Sequence, residues 1–304
     1  MFSDAVRGKS TYGHRELERG IDAWNGRGQL EQAIAHFDSA MTWALERGDS
    51  DLWDRAFCNR CAADMELGGR PDWLPELRQI VLRSSDPENA FLAAYNVAHA
   101  YEREKDFDKA LFYARIAHDR CAKLRRRDWL AWSKNQTANL LLGQSHFEEA
   151  CASYEQALDL MPAPPSVQRA LILDNLGYCR IVQGRHDEGF TLLFQGLRTL
   201  RHFGAERFES RMLLSLCWGY LELGRLRRAL RHGLRALELA DRFGDIESIK
   251  NAHYLLGEAY NELGCHGTAR DYFTRLQKRF YPEAVHVPEL LMAVDVRNLI
   301  NLKA

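Results

Sequence analysis

Residues 255–273 read LLGEAYNELGCHGTARDYF, and the layout of this stretch decides the fold. Leu256, Gly257 and Tyr260 fall at helical spacing, a break follows at Gly264, and Ala269 and Phe273 then share one face of a second helix. The small residue lets two paired helices approach closely, and the aromatic four positions later fills the space toward the next unit. The same layout returns in GIDAWNGRGQLEQAIAHFDSA (20–40), YNVAHAYEREKDFDKALFYARIA (95–117), NLLLGQSHFEEACASYEQALDLMP (139–162), NLGYCRIVQGRHDEGFTLLFQG (175–196) and SLCWGYLELGRLRRALRHGLRALEL (215–239).

The small residues opening each second helix are Ala33, Ala110, Ala150, Gly189, Ala229 and Ala269, with a degenerate copy at Trp73. From Trp73 onward the spacings are 37, 40, 39, 40 and 40 residues, a period that belongs to helical repeats. Breaks between the two helices fall at Gly28, Gly68, Asp106, Ser145, Gly184, Gly224 and Gly264. Glycine recurs there because a left-handed residue closes a helix.

The chain resembles the tetratricopeptide repeat family, whose pattern is W-x2-L-G-x2-Y, then A-x3-F and a late proline. Leu256, Gly257, Tyr260, Ala269 and Phe273 fall in register with Pro282 slightly late; Leu176 with Gly177, Tyr101 with Ala110, Tyr220 with Ala229, and Ala150, Tyr154 and Pro162 repeat parts of it. The resemblance covers residues 14–282. A period longer than the usual 34 residues is similar to that of arrays in bacterial peptide-pheromone receptors and other regulatory proteins. It implies an all-α, right-handed superhelical solenoid of about seven helix-turn-helix repeats. The expected organisation is a flexible N-terminus over 1–13, the array over 14–283 and a C-terminal capping helix over 284–304. The second repeat is irregular, with Trp73 at the small-residue position and Pro71 and Pro75 at the start of its second helix, where a first turn tolerates proline. MPAPPS at 161–166 reads as an inter-repeat loop. Residues 284–302 read as an amphipathic helix covering the last apolar face, and Leu290, Leu291, Leu299 and Ile300 offer a possible homodimer contact.

Composition excludes several classes. With 46% hydrophobic and 27% charged residues and a net charge of -1, the chain has neither a disordered composition nor the cationic excess of a nucleic-acid binder. No run approaches the roughly 18 apolar residues of a membrane span, and MFSDAVRGKS has no apolar signal core, so a cytoplasmic location is expected. Seven scattered cysteines do not read as a disulfide framework. CNRC at 58–61 lacks a second ligand pair, RGKS at 7–10 lacks the earlier glycine of a phosphate loop, and His99 with Glu102 has no accompanying nucleophile. No metal, cofactor or enzymatic activity is expected. The arginines of RLRRALRHGLR (225–235) and of KLRRRDW (123–129) read as solvated outer faces.

Taking the residue fourteen positions before each marker gives Asn59, Asn96, Gln136 and Asn175, then Ser215. An amide side chain can both donate to and accept from a peptide unit, so a row of them can hold an extended chain by its backbone. The resemblance implies that use here, because tetratricopeptide arrays commonly place asparagine there. Neighbouring positions supply Tyr95, His99, Asn135, Asn139, Asp174, Tyr178, Trp218, Tyr254 and Glu258. The lysines and arginine of a carboxylate clamp are replaced by Tyr95, Asn135 and Asp174, so a terminal carboxylate is not the expected ligand. The reading is a non-enzymatic adaptor that holds an extended segment of a protein or peptide partner in its groove. The alternative is a regulatory peptide-sensing receptor whose superhelix changes shape on binding.

Overall fold

Many helices in this chain stop where one residue turns left-handed. At Gly184 (φ 77°) and Gly264 (φ 80°) the absence of a Cβ makes that conformation free of strain. At two expected breaks a side chain takes the role instead: Ser145 (φ 63°), and Lys105 (φ 58°) rather than the adjacent Asp106. The computed structural model describes residues 11–27, 29–69, 72–124 and 126–304. Gly28, Pro71, RGKS and most of the expected flexible N-terminus lie outside the described residues.

Two compact units divide the chain between Leu140 and Leu141. The first holds α1 (Tyr12–Arg27), α2 (Leu30–Arg47), α3 (Ser50–Glu66), α4 (Leu74–Arg83), α5 (Pro87–Arg103), α6 (Phe107–Leu124) and most of α7 (Arg127–Gly143). Within it α1 packs on α2 and α3, α3 on α5, and α5 on α6, so first helices form one layer and second helices another. Phe37, Phe91, Leu77 and Ile80 lie fully inside. The irregular α4 starts with proline in its first turn, and Trp73 just before it donates its indole N–H to Asp64 at 2.8 Å.

The second unit holds α8 (Phe147–Leu160), α9 (Val167–Val182), α10 (His186–His202), α11 (Glu209–Glu222), α12 (Leu226–Phe243), α13 (Ile246–Glu262), α14 (His266–Phe280) and a short α15 (Val287–Ala293). First helices again contact one another, α9 with α11 and α11 with α13. MPAPPS is the loop from α8 to α9, and its Ser166 accepts the Arg169 amide at 3.2 Å as the cap of α9. Small residues are required where paired helices meet. A Cβ on Gly189 would lie 2.7 Å from the Gly177 carbonyl oxygen and 2.6 Å from Ile181. The backbones of α9 and α10 therefore touch there.

The fold among the described residues is all-α, with helix pairs in the order the repeat predicts. The expected helix over 284–304 is corrected: it runs from Val287 to Ala293, after which Val294 (φ -129°, ψ 127°) and Ile300 (φ -107°, ψ 126°) are extended on either side of a single 3-10 turn at Arg297–Leu299. Val294 and Val296 are β-branched, and Asp295 accepts the Arg297 amide at 3.0 Å, a local bond that competes with helix continuation. Leu291 is buried, whereas Leu290 (51%) and Leu299 (84%) remain exposed. No described helix is long and apolar enough to cross a membrane.

Two glycines separate packing from helix propensity. Gly189→Ala should destabilise the chain by about 1–3 kcal/mol, because the added methyl meets rigid backbone. A Cβ on Gly267, in the first turn of α14, meets nothing within 4 Å, so Gly267→Ala should stabilise by up to about 1 kcal/mol. Urea melts of the two variants test the contrast.

Candidate functional site

In the first unit the expected amide ladder sits between helices. Asn89, Asn96 and Arg103 lie seven residues apart on α5, two helical turns and hence one face. Their side chains donate to the carbonyls of Asp51 (2.8 Å), Cys58 (2.7 Å) and Met65 (2.9 Å) on α3, also seven apart. Gln136 on α7 donates to the Tyr95 carbonyl at 2.9 Å, and Asn59 to the Arg55 carbonyl of its own helix at 2.8 Å. Asn59, Asn96 and Gln136 are 1%, 3% and 3% exposed. Each of the three amides thus places one donor on the scaffold, while Asn59 Oδ1 and Gln136 Oε1 are buried without a partner. Asn175 lies half-buried on α9.

Around this seam Tyr95, His99, Asn135 and Asn139 are half-buried, with the Tyr95 ring 5.7 Å from that of Phe91. Burial pushes His99 down to about 4, helped by Arg103, and pushes Glu102 up to about 7. His99 is therefore neutral at physiological pH. Cys58 and Cys61 belong to the buried core, and burial drives their thiols far above the ordinary range. Among the described residues no group of three His, Cys, Asp or Glu could hold a metal ion. Arg225, Arg227, Arg228, Arg231 and Arg235 lie exposed on or beside α12.

The second unit presents a different arrangement, in which the chain's own residues 294–304 cross the inner helices. Asn301 Nδ2 donates to the Leu142 carbonyl at 2.6 Å and to Ser145 Oγ at 3.1 Å. The Leu302 amide donates to the Tyr178 hydroxyl at 3.0 Å, while its carbonyl accepts from Asn251 Nδ2 at 2.9 Å. Lys303 Nζ reaches Asp174 Oδ2 at 2.6 Å and lies 5.8 Å from the Tyr178 ring centre. The other oxygen of Asp174 accepts from Ser215 Oγ at 2.7 Å. Farther along, Arg297 pairs with Glu262 at 2.8 Å. One segment is thus held by α9, α11 through Ser215, and α13.

Tyr178, Trp218 and Tyr254 are all buried on these helices, with Tyr178 and Trp218 edge to face at 6.1 Å. Trp218 Nε1, the Tyr254 hydroxyl and Glu258 Oε1 are buried and make no hydrogen bond. Tyr254 and Glu258 are one turn apart and feel the charges of Asp295 and Arg297. Burial pushes Glu258 up to about 7 against the pull of Arg297. Sequence reasoning found Asp174, Tyr178, Ser215, Trp218, Tyr254 and Glu258 by position, and missed Asn251, Asn301 and Lys303. The available signal was weak: polar residues interrupting an apolar helix face and an Asp-x-Arg turn after α15.

Residues 214–285 match the model of the tetratricopeptide repeat family. No curated protein matches the chain. Among solved structures, a Rap protein complexed with Competence and Sporulation Factor superposes with a TM-score of 0.74 at 14% identity, over 88% of this chain and 75% of that one. The apo form of RapI gives 0.63 at 12% identity, over 88% and 97%. A signal-transduction ATPase with a tetratricopeptide repeat sensor from Pyrococcus horikoshii gives 0.67 at 12% identity, over 92% of this chain and 44% of that one. The chain has the tetratricopeptide-repeat fold.

Two stability experiments follow from these sites. Asn96→Ala and Gln136→Ala should each cost about 1–2 kcal/mol, read as a lower melting temperature with helical content retained; an unchanged melting temperature would return these amides to ligand contact. For Glu258 the folded-state pKa is raised, so the folded chain binds more protons than the unfolded one between the ordinary carboxyl value and about 7. Its contribution to stability falls as pH rises through that window. The melting temperature of Glu258→Gln, relative to wild type, should therefore rise from about pH 5 to about pH 8.

Proposed function

We propose that this tetratricopeptide-repeat chain is a non-enzymatic peptide- or protein-binding module, and that α9, α11 and α13 of its second unit hold an extended segment of a partner. The observation that carries this reading is the grip on Leu302. Its amide and carbonyl are met by Tyr178 and Asn251, side chains from two different helices. Recognition of a residue through both its main-chain N–H and its C=O works for any side chain other than proline's, and the flanking groups add selectivity. Asp174 beside the Tyr178 ring suits a cation, and the aromatic pair of Tyr178 and Trp218 suits an apolar neighbour. The unpartnered polar atoms of Trp218, Tyr254 and Glu258 add support, since buried polar groups are ordinarily paired.

A regulatory, peptide-sensing version is supported by fold similarity to a Rap protein that was crystallised with Competence and Sporulation Factor. The partner on either version is a protein or peptide segment.

Selection of binders from a displayed library of random peptides tests the reading. Binders recovered on the wild-type chain should lose about tenfold in affinity with Tyr178→Phe or Asn251→Ala, each change removing one hydrogen bond worth about 1–1.5 kcal/mol. Circular dichroism should be unchanged. Selected peptides that bind the Tyr178→Phe, Asn251→Ala double variant as well as wild type would refute this groove as the site.

A further inference from the structure

We propose that residues 294–304 are a built-in occupant of this groove, an intramolecular pseudo-ligand that a partner must displace, and that the displacing segment is extended and carries a cationic residue next to a leucine-like one. The inference rests on the reading of α9, α11 and α13 as a peptide site.

The segment is not built as a cap. A cap for the last helix pair would turn its apolar side chains inward, yet within 294–304 Val294 and Leu299 are exposed, Val296 and Ile300 are half-buried, and Leu302 alone is buried. Beyond α15 the attachments are polar: Arg297 to Glu262, Asn301 to Leu142 and Ser145, the Leu302 main chain to Tyr178 and Asn251, and Lys303 to Asp174. A few hydrogen bonds and ion pairs around one buried leucine make a contact that can be exchanged, unlike an interdigitated core.

The occupant is also an imperfect one. It passes Tyr254 and Glu258 closely enough for Asp295 and Arg297 to influence them, yet leaves the Tyr254 hydroxyl, Glu258 Oε1 and Trp218 Nε1 without hydrogen bonds. A competing segment that donates to Glu258 and accepts from Trp218 or Tyr254 would satisfy groups the internal segment strands. That gives an external ligand its advantage over an occupant favoured by being tethered. The charge pattern sets the ligand class. Asp174 and Glu262 are matched by Lys303 and Arg297, so an acidic or uncharged segment would leave the buried Asp174 without its cation.

The test uses the full chain and a fluorescein-labelled synthetic peptide of residues 294–304, VDVRNLINLKA, read by fluorescence anisotropy. Lys303→Glu places like charge against Asp174 and should release the internal segment without touching the helices. The peptide should bind the Lys303→Glu chain at least tenfold more tightly than wild type, and adding Tyr178→Phe with Asn251→Ala should abolish that gain. Asn301→Ala is a second releasing variant and should act in the same direction. Hydrogen exchange provides the independent readout: the Leu302 amide should be protected in wild type and exposed in Lys303→Glu. Equal binding to wild type and both variants would overturn internal competition, while loss of that binding on Tyr178→Phe with Asn251→Ala would keep the groove as a peptide site. No binding to the released variants would overturn the segment as a ligand, and the groove would then stand or fall on the library selection alone.

Discussion

A helix carbonyl has two lone pairs, and the helix uses only one of them. The inner layer of the first unit depends on the other. Asn89, Asn96 and Arg103 reach across to carbonyls of α3 at matched seven-residue intervals, so the neighbouring first helices are held in register by polar groups. Apolar packing alone is tolerant of small slides; hydrogen bonds to specific carbonyls are not. Close approach on the other side of each pair, as at Gly177 and Gly189, fixes the second helix against the first. Together these constraints fix where the inner side chains sit.

The second unit spends the equivalent positions differently. Ser215, at the ladder position, turns its hydroxyl to Asp174 at 2.7 Å, with the Arg211 carbonyl of its own helix at 3.2 Å, and reaches no carbonyl of the neighbouring first helix. The carboxylate so oriented is buried, and an unpaired buried charge is expensive. Lys303 supplies the missing cation, which ties the segment after α15 to the same helices that carry Tyr178 and Asn251.

Much of the fold was legible because its causes are local. Helical spacing, left-handed breaks and small residues at the helix contacts act within one repeat, and they predicted the helix pairs almost position by position. Even the exception at Lys105 shifts the break by a single residue. The candidate site was legible only in part. Position fourteen before the marker carries a polar residue in the repeats marked by Trp73, Ala110, Ala150, Gly189 and Ala229 and Leu255 in the last, but whether an amide faces a ligand or the adjacent helix depends on a small rotation about the helix axis that spacing does not encode. Residues 284–302 misled for a related reason. Leu290, Leu291, Leu299 and Ile300 fit a helical stripe, yet after Ala293 the peptide groups find better partners on α9 and α13, more than a hundred residues away for Leu302 and Tyr178. Tertiary bonds of that separation leave no trace in local periodicity.

The contact between Leu302 and the inner helices is made within one chain, so its equilibrium is unimolecular. Dilution does not weaken it and overexpression does not strengthen it. On the proposal that a partner displaces this segment, the fraction of molecules with the inner face released is set by the sequence after α15, and the free partner concentration at half-occupancy is the same in a cell holding about ten copies of the protein or on the order of ten thousand. Changes to those few residues would reset that threshold while leaving the recognition surface itself untouched.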